Sequence, residues 1–276
     1  MNDVLKTFLR RPAGIVGLTL LTIITVLAFV APIIHPGSPW DMTSGPFLRP
    51  GQDGMLMGTD TMGRDIAAGV LHGARVSLII GVASALTSLL IGVTLGCIAG
   101  YAGGRVDMAI VRVTEVFQTI PNFVMAIVLV AILSPSIWTI IFAIGVVSWP
   151  SIARLTRAQV RSTSALEFVA AARCQGQSTL SIVLRHNQPN AISPIIVAGS
   201  FAVAAAILIE ASLSFMGLGD PNYMSWGYMI GAGRTVIRQA WWMSVFPGIA
   251  ILLTVVAINL VGEALNDALN PRISRA

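Results

Sequence analysis

The chain has 276 residues, of which 55% are hydrophobic and only 11% are charged. A soluble protein carries about 25% charged residues, so this composition excludes an ordinary soluble domain and indicates an integral membrane protein. The net charge of +5 does not indicate nucleic-acid binding, because the arginines follow the ends of apolar segments. The two cysteines, Cys97 and Cys174, lie far apart without metal or redox spacing, so we predict packing roles and no metal site.

Six apolar segments are candidates to span a bilayer, which takes about 20 residues. They cover residues 13–34, 76–100, 113–133, 137–149, 191–216 and 245–265. The first could be a signal peptide, but its apolar run exceeds the roughly 7–15 residues of such a segment, so we predict a retained span. Pro121 should kink the third span, and the fourth should end at Pro150. The predicted fold class is all-α, a polytopic membrane protein with six transmembrane helices.

The arginines and the single lysine are distributed unevenly between the connections. With a cytoplasmic N-terminus, twelve of them fall in inner segments and five in outer segments, as the positive-inside rule requires. We therefore predict an inner-membrane protein with both termini in the cytoplasm. Its predicted regions are a cytoplasmic segment (1–12), a first span with an external loop (13–75), a core (76–270) and a cytoplasmic tail (271–276). Arg154, Arg157 and Arg161 share a helix face and are expected to contact phospholipid headgroups.

The longest polar stretch of the second half is residues 164–190, on the cytoplasmic side of this topology. Ser164 and Glu167 have capping-box spacing, which predicts that a helix begins here, and Gly176 is a suitable stop for it. Ser178 could begin a second short helix, and Pro189 the next long one. The local chemistry alone fits either an ordinary polar loop or a helix that another protein contacts.

The spacing of small residues, glycine and proline in this stretch resembles the EAA loop of ABC importer permeases, through which the permease docks onto its ATPase. Three alanines are followed after three residues by Gly176 and, after nine more, by His186-x-Gln188-Pro189. Ala170 stands where the motif has its glutamate, and His186-Asn187-Gln188 replaces Ile-x-Leu. The resemblance implies that the ATPase contacts are Glu167, Ala170, Ala171, Ala172, Arg173, Gly176 and Pro189.

Three further stretches resemble one permease family, the importers of dipeptides, oligopeptides, nickel and related solutes, and in particular its C-type subunit. Residues 58–65 and 73–78 are similar to GTD-x-x-GRD and GAR-x-SL, residues 214–227 to SFLGLG…SWG, and residues 241–272 to the C-terminal signature. The resemblance implies a homologous second permease, one or two cytoplasmic ATPases that bind ATP and Mg, and an external solute-binding protein. Peptide is the expected solute; nickel, opine or oligosaccharide substrates stay open.

Two groups of polar residues are candidate sites outside the loop. Asp60, Arg64 and Asp65 belong to predicted tight turns, where they could pair with one another or contact the solute-binding protein. Glu210 and Asn259 lie within spans, where polar groups are functional candidates. Glu210 could be paired, for example with Arg234, or could lie on the translocation path. Asn259 is expected to make an interhelical hydrogen bond.

Several enzyme classes are excluded by missing motifs. Lys6 is the only lysine, so the chain has no Walker A motif for ATP. His35, His72 and His186 are isolated, so no H-E-x-x-H zinc motif is present. We therefore predict a non-catalytic subunit with no cofactor of its own. A stand-alone secondary transporter is the alternative, but it would predict inverted repeats and charged pairs at the midplane, which the sequence does not display.

Overall fold

The computed structural model describes residues 7–178, 181 and 188–269. The helices that position the candidate sites lie in these ranges. They are α1 (Pro12–Ile34), α2 (Ile66–Ala102), α3 (Gly104–Thr119), α4 (Asn122–Leu133), α5 (Ile137–Ser164), α6 (Glu167–Cys174), α7 (Gln188–Phe215), α8 (Trp226–Gly233) and α9 (Trp242–Leu269). A single 3₁₀ turn at Gln52–Gly54 interrupts the connection between α1 and α2.

Five helices are long and apolar enough to cross a membrane: α1, α2, α5, α7 and α9. The pair α3 and α4 would form a sixth span together, although the two are bent by 84° at their junction. The predicted all-α membrane fold is confirmed, and the six expected spans are found when this pair counts as one. Ile120 is extended and Pro121 begins the next segment, as expected for the residue before a proline. Pro121 therefore breaks the predicted third span instead of kinking it.

Three predicted span ends are wrong. The third span was predicted from residue 113, but its first helix, α3, begins at Gly104. The second span begins at Ile66, ten residues before the predicted position 76, because Asp65 caps the helix by accepting the Ala67 N–H at 2.8 Å. The fourth continues through Pro150 to Ser164 instead of ending at residue 149. A proline within a helix costs a hydrogen bond, but α5 packs against α2 on both sides of Pro150.

Small residues at four-residue spacing on α2 allow this packing. A Cβ placed on Gly92 would lie 2.8 Å from the carbonyl oxygen of Trp149, and one on Gly96 would lie 2.6 Å from that of Ala153. A Cβ on Gly100 would lie 2.8 Å from the carbonyl oxygen of Arg157. The two backbones therefore approach as closely as in small-residue packing of membrane helices, and α2 and α5 form the central pair of the bundle.

The described chain ends lie at the same end of the bundle. Gly14 and Gly17 of α1 approach α9 so closely that a Cβ on either would lie 2.8 Å from an atom of α9. Arg11 pairs with Asp267 at 3.3 Å. We call this end, which also contains α6, the coupling end. The opposite end, with residues 35–65 and α8, is the loop end.

Candidate functional site

Helix α6 is a separate short helix attached to the end of α5. Helical hydrogen bonds of α5 continue through Ser164, and the N–H groups of Ala165 and Leu166 still donate to Ser162 and Thr163 at 3.3 and 3.1 Å. Helix α6 then begins at Glu167. The predicted capping box is therefore wrong, because Ser164 is the last residue of α5 and not the N-cap of α6.

Among the described side chains of α6, one side packs against the bundle and another is exposed. Val169 and Ala172 are buried against Tyr101, near the end of α2. Glu167, Phe168, Ala171 and Cys174 are exposed. The side chains of Ala170, Arg173 and Pro189 lie outside what the structure describes. We call the exposed side that carries Glu167, Phe168, Ala171 and Cys174 the coupling face.

Gly176 ends α6 in the predicted way. Its φ is +74°, in the left-handed region that glycine adopts without strain. The Gln177 N–H donates to the carbonyl oxygen of Ala172 at 3.2 Å, which is the long hydrogen bond of a Schellman motif. A Cβ at Gly176 would meet no atom within 4 Å, so the space beyond this turn is free within the described part of the chain. The predicted second helix from Ser178 falls mostly outside that part.

An ion pair joins α3 to α5 near the coupling end. Arg157 donates from Nε and from a terminal nitrogen to the two carboxylate oxygens of Asp107, the second at 2.6 Å. Arg161 lies 3.9 Å from the same carboxylate. The expected headgroup role of Arg157 is therefore wrong: its side chain is bound within the protein. The partners lie 50 positions apart, so no local sequence pattern could have paired them.

Asp60 and Arg64 form a buried ion pair at the loop end. Arg64 Nε donates to Asp60 Oδ2 at 2.5 Å, and Asp60 Oδ1 accepts the N–H groups of Met62 and Arg64 at 2.8 and 2.9 Å. The guanidinium also lies over the ring of Trp40, 5.2 Å from its centre. Asp60 and Arg64 are only 6% and 7% exposed, so they have little surface for a partner. Asp65 caps α2 and lies 3.5 Å from His35.

Residues near this ion pair attach the segment between α1 and α2 to the start of α9. Thr59 Oγ1 donates to Gly45 and accepts from the Leu48 N–H, and the Thr59 carbonyl oxygen accepts the indole N–H of Trp242 at 3.0 Å. Gly63 has φ +80° and approaches Ser44 so closely that a Cβ would overlap it. The GTD-x-x-GRD motif thus builds a compact loop in this structure.

Glu210 lies in a group of serines that joins α2, α7 and α8. Its side chain is 1% exposed and accepts a hydrogen bond from Ser214 Oγ at 2.7 Å. The hydroxyls of Ser77 and Ser225 lie beside the carboxyl group. These two hydroxyls also accept the N–H groups of α8 at 3.3 and 3.2 Å. Glu210 therefore sits where α8 meets the bundle.

The structure does not bear out the contacts expected for Arg234 and Asn259. Arg234 does not pair with Glu210; it donates to the Phe215 carbonyl oxygen at 3.2 Å. Asn259 is half-buried, and no other described residue hydrogen-bonds to it. The expected interhelical hydrogen bond is thus not found among the described residues of this chain and stays a prediction.

Comparison with known proteins identifies the family. The family described as "Binding-protein-dependent transport system inner membrane component" matches residues 92–275. The chain belongs to this family of ABC importer permeases. A second family, the N-terminal transmembrane domain of oligopeptide transport permease C, matches residues 1–50 of the permease.

Relatives match the permease over nearly its whole length. It is 36% identical to the di/tripeptide transport system permease protein DppC of Pseudomonas aeruginosa (strain UCBPP-PA14), over 100% of this chain and 93% of the relative. It is also 36% identical to the dipeptide transport system permease protein DppC of Bacillus subtilis (strain 168), over 99% of this chain and 86% of the relative.

A solved structure shares the fold. A chain of the inward-facing MetNI methionine ABC transporter superposes with a TM-score of 0.62 at 16% identity, covering 73% of the permease and 96% of that chain. The fold of an ABC importer permease is thus found independently of close sequence similarity.

Proposed function

We propose that this permease imports di- or oligopeptides across the cytoplasmic membrane as one half of a heterodimeric pore. The observation that carries the substrate class is the full-length similarity to permeases named for dipeptides. Nickel, opines or oligosaccharides are the alternative solutes. Selectivity would lie largely in the external solute-binding protein that delivers the solute.

An ATPase would dock on the coupling face of α6. This face is exposed, whereas Val169 and Ala172 fix the helix to Tyr101 of α2. Residues 165 and 166 join the same helix directly to α5. A movement of α6 would therefore reach both central helices, which are packed backbone to backbone. ATP and Mg would be bound by the ATPase, and this chain would supply no catalytic group.

The solute-binding protein would approach the loop end. Asp60, Arg64 and Asp65 would act there by shaping the loop, since the first two are buried. The contact surface would instead be formed by exposed neighbours such as Met62 and Leu56, which are 54% and 76% exposed. Membrane lipid would surround the rest of the apolar surface.

Both chain termini and α6 would lie in the cytoplasm, which gives a labelling prediction. In a Cys97→Ala variant produced without the ATPase, which would cover the coupling face, Cys174 is the only remaining cysteine and is exposed. We expect a membrane-impermeant maleimide to label Cys174 only after the cells are permeabilised. A matched variant that carries Cys97→Ala, Cys174→Ala and Asp53→Cys should be labelled on intact cells. The reverse pattern would show that the orientation is wrong.

Exchange of the binding protein tests where selectivity lies. If the pore is a conduit, pairing the permease assembly with a compatible binding protein of different specificity should change which solute is imported. The measurement is competitive uptake of two labelled solutes before and after the exchange. Unchanged selectivity would show that the permease itself selects the solute. Glu210 and Asn259 would then be the first residues to examine.

A further inference from the structure

A hollow at the loop end has the size of a small-molecule site. Its volume is about 470 Å³, within the range of roughly 300–1,000 Å³ that is usual for such sites. Its walls come from separate parts of the chain: Trp40 before α2, Arg75 on α2, Ile137 at the start of α5, and Asn222 and Tyr223 between α7 and α8. Different elements therefore border this space, which stays open on one side.

Arg75 is the charged residue of the GAR-x-SL stretch, and its side chain does not contribute to the packing of the bundle. Gly73 and Ala74 are buried on the bundle side, where a Cβ on Gly73 would lie 3.3 Å from Trp226. Ser77 is fully buried and accepts the Trp226 N–H. Arg75 is exposed and lines the hollow. Among the described residues it has no ion pair and no hydrogen bond, whereas Arg64 and Arg157 each bind a carboxylate.

The residues that line the hollow favour an anion. No aspartate or glutamate is among them, and the neutral polar side chains are Ser38, His72 and Asn222. His72 Nε2 lies 3.1 Å from the His35 carbonyl oxygen, and the Asn222 amide donates to Asp220. Among the described residues that line the hollow, Arg75 is the one with a permanently charged side chain. The neighbouring Asp220 carboxylate accepts the N–H groups of Ile137 and Asn222 at 3.0 and 2.9 Å. The planar guanidinium donors of Arg75 suit two parallel hydrogen bonds to a carboxylate.

The position of Arg75 connects the hollow to the membrane part of the permease. It lies nine residues after the start of α2, which is about 14 Å along the helix. Arg75 and Ile79 line the hollow, and the same two residues line an apolar groove of about 570 Å³ between α1, α2, α7 and α9. A solute held by Arg75 would lie at the border between the loop end and the transmembrane helices.

We propose that this hollow receives the peptide from the binding protein by pairing its free C-terminal carboxylate with Arg75. The rings of Trp40 and Tyr223 form apolar walls beside that group. This inference rests on the proposed import of peptides and adds a site for one end of the substrate. A phospholipid phosphate would satisfy the same guanidinium, but the hollow is bordered by Trp40, Ile137, Asn222 and Tyr223 of the loop end, which favours a small solute over a headgroup.

The test compares a free acid with its amide in the complete transporter. Uptake of L-alanyl-L-alanine and of its C-terminal amide is measured in proteoliposomes with the same binding protein throughout, so that the binding protein's own preference cancels between permease variants. Arg75→Gln should lower the acid-to-amide uptake ratio about tenfold, the loss expected for one charge-assisted contact. Arg75→Lys should retain part of the ratio. Arg49→Gln, at an exposed arginine outside the hollow, should leave the ratio unchanged.

Three outcomes would overturn the proposal, and they are distinguishable. An equal fall of acid and amide uptake in Arg75→Gln, with Arg75→Lys behaving in the same way, would show a structural role. An unchanged ratio, with a loss of uptake only in vesicles that contain phosphatidylglycerol, would show that Arg75 binds a lipid headgroup. Failure of the wild-type assembly to import either compound would contradict the proposed dipeptide import, on which this site rests.

Discussion

Gly176→Trp is expected to weaken ATPase binding by at least about tenfold while the permease still inserts and pairs with its partner permease. The residue has φ +74°, so any side chain adds backbone strain of about 1–3 kcal/mol. The indole would also fill the open space beside the coupling face. Because the change lies outside the spans, bundle packing should survive. The measurement is the amount of ATPase that co-purifies with the tagged permease, together with solute-stimulated ATP hydrolysis.

Two further variants separate strain from obstruction. Gly176→Ala adds strain with little bulk and should cause a smaller loss than the tryptophan. Gly51→Trp is the matched control, because Gly51 also has positive φ and no atom within 4 Å of a Cβ, but it lies at the loop end. ATPase co-purification should be normal in that control. Normal ATPase binding by Gly176→Trp would mean that α6 is not the coupling helix.

Asp60→Ala is expected to destabilise the loop end by about 3–5 kcal/mol, the usual cost of removing one partner from a buried ion pair. Arg64, 7% exposed, would keep its charge without a carboxylate, and the N–H groups of Met62 and Arg64 would lose their acceptor. The measurement is thermal unfolding of the detergent-solubilised permease assembly. Its midpoint should fall clearly below that of the wild type.

Other changes to the same pair test the cause of this effect. Asp60→Ala combined with Arg64→Leu should recover much of the loss, because replacing both charges with apolar groups is often nearly neutral. Asp41→Ala, at an exposed aspartate of the same loop, should change stability by less than about 1 kcal/mol. A midpoint for Asp60→Ala equal to that of Asp41→Ala would show that the buried pair contributes no stability.

The fold class and most spans could be predicted because apolar run length is a local property of the sequence. Helix ends were less predictable. The continuation of α5 through Pro150 depends on the glycines of α2, which lie about 50 positions earlier in the chain. The local rule for proline predicted that the fourth span ends at Pro150, and the capping-box rule predicted a new helix at Ser164. In the structure α5 continues through both positions. Three-dimensional contact between α2 and α5 therefore explains the continuation of α5, whereas the start of α2 follows from the local cap at Asp65.

The candidate sites also divide into features set by local sequence and features set by tertiary contacts. The stop of α6 at Gly176 could be predicted because a Schellman motif is local. The pairing of Arg157 with Asp107 and the approach of Ser77 to Glu210 could not be predicted, because in each case the two residues lie on helices that are far apart in the sequence. Asp60 and Arg64 could pair with each other or contact the solute-binding protein. The choice between these alternatives depends on the burial of the two side chains, which the motif does not indicate. The coupling contacts stay a prediction until the ATPase interface is measured.

ATP-dependent uptake of a labelled dipeptide tests the central claim most directly. Proteoliposomes would contain this permease, its partner permease and the ATPase, with ATP on the side of α6 and the binding protein on the side of the loop end. We predict uptake that requires all of these proteins and hydrolysable ATP, and that Gly176→Trp abolishes. Dipeptide uptake by this permease alone, without ATP or an ATPase, would contradict the account.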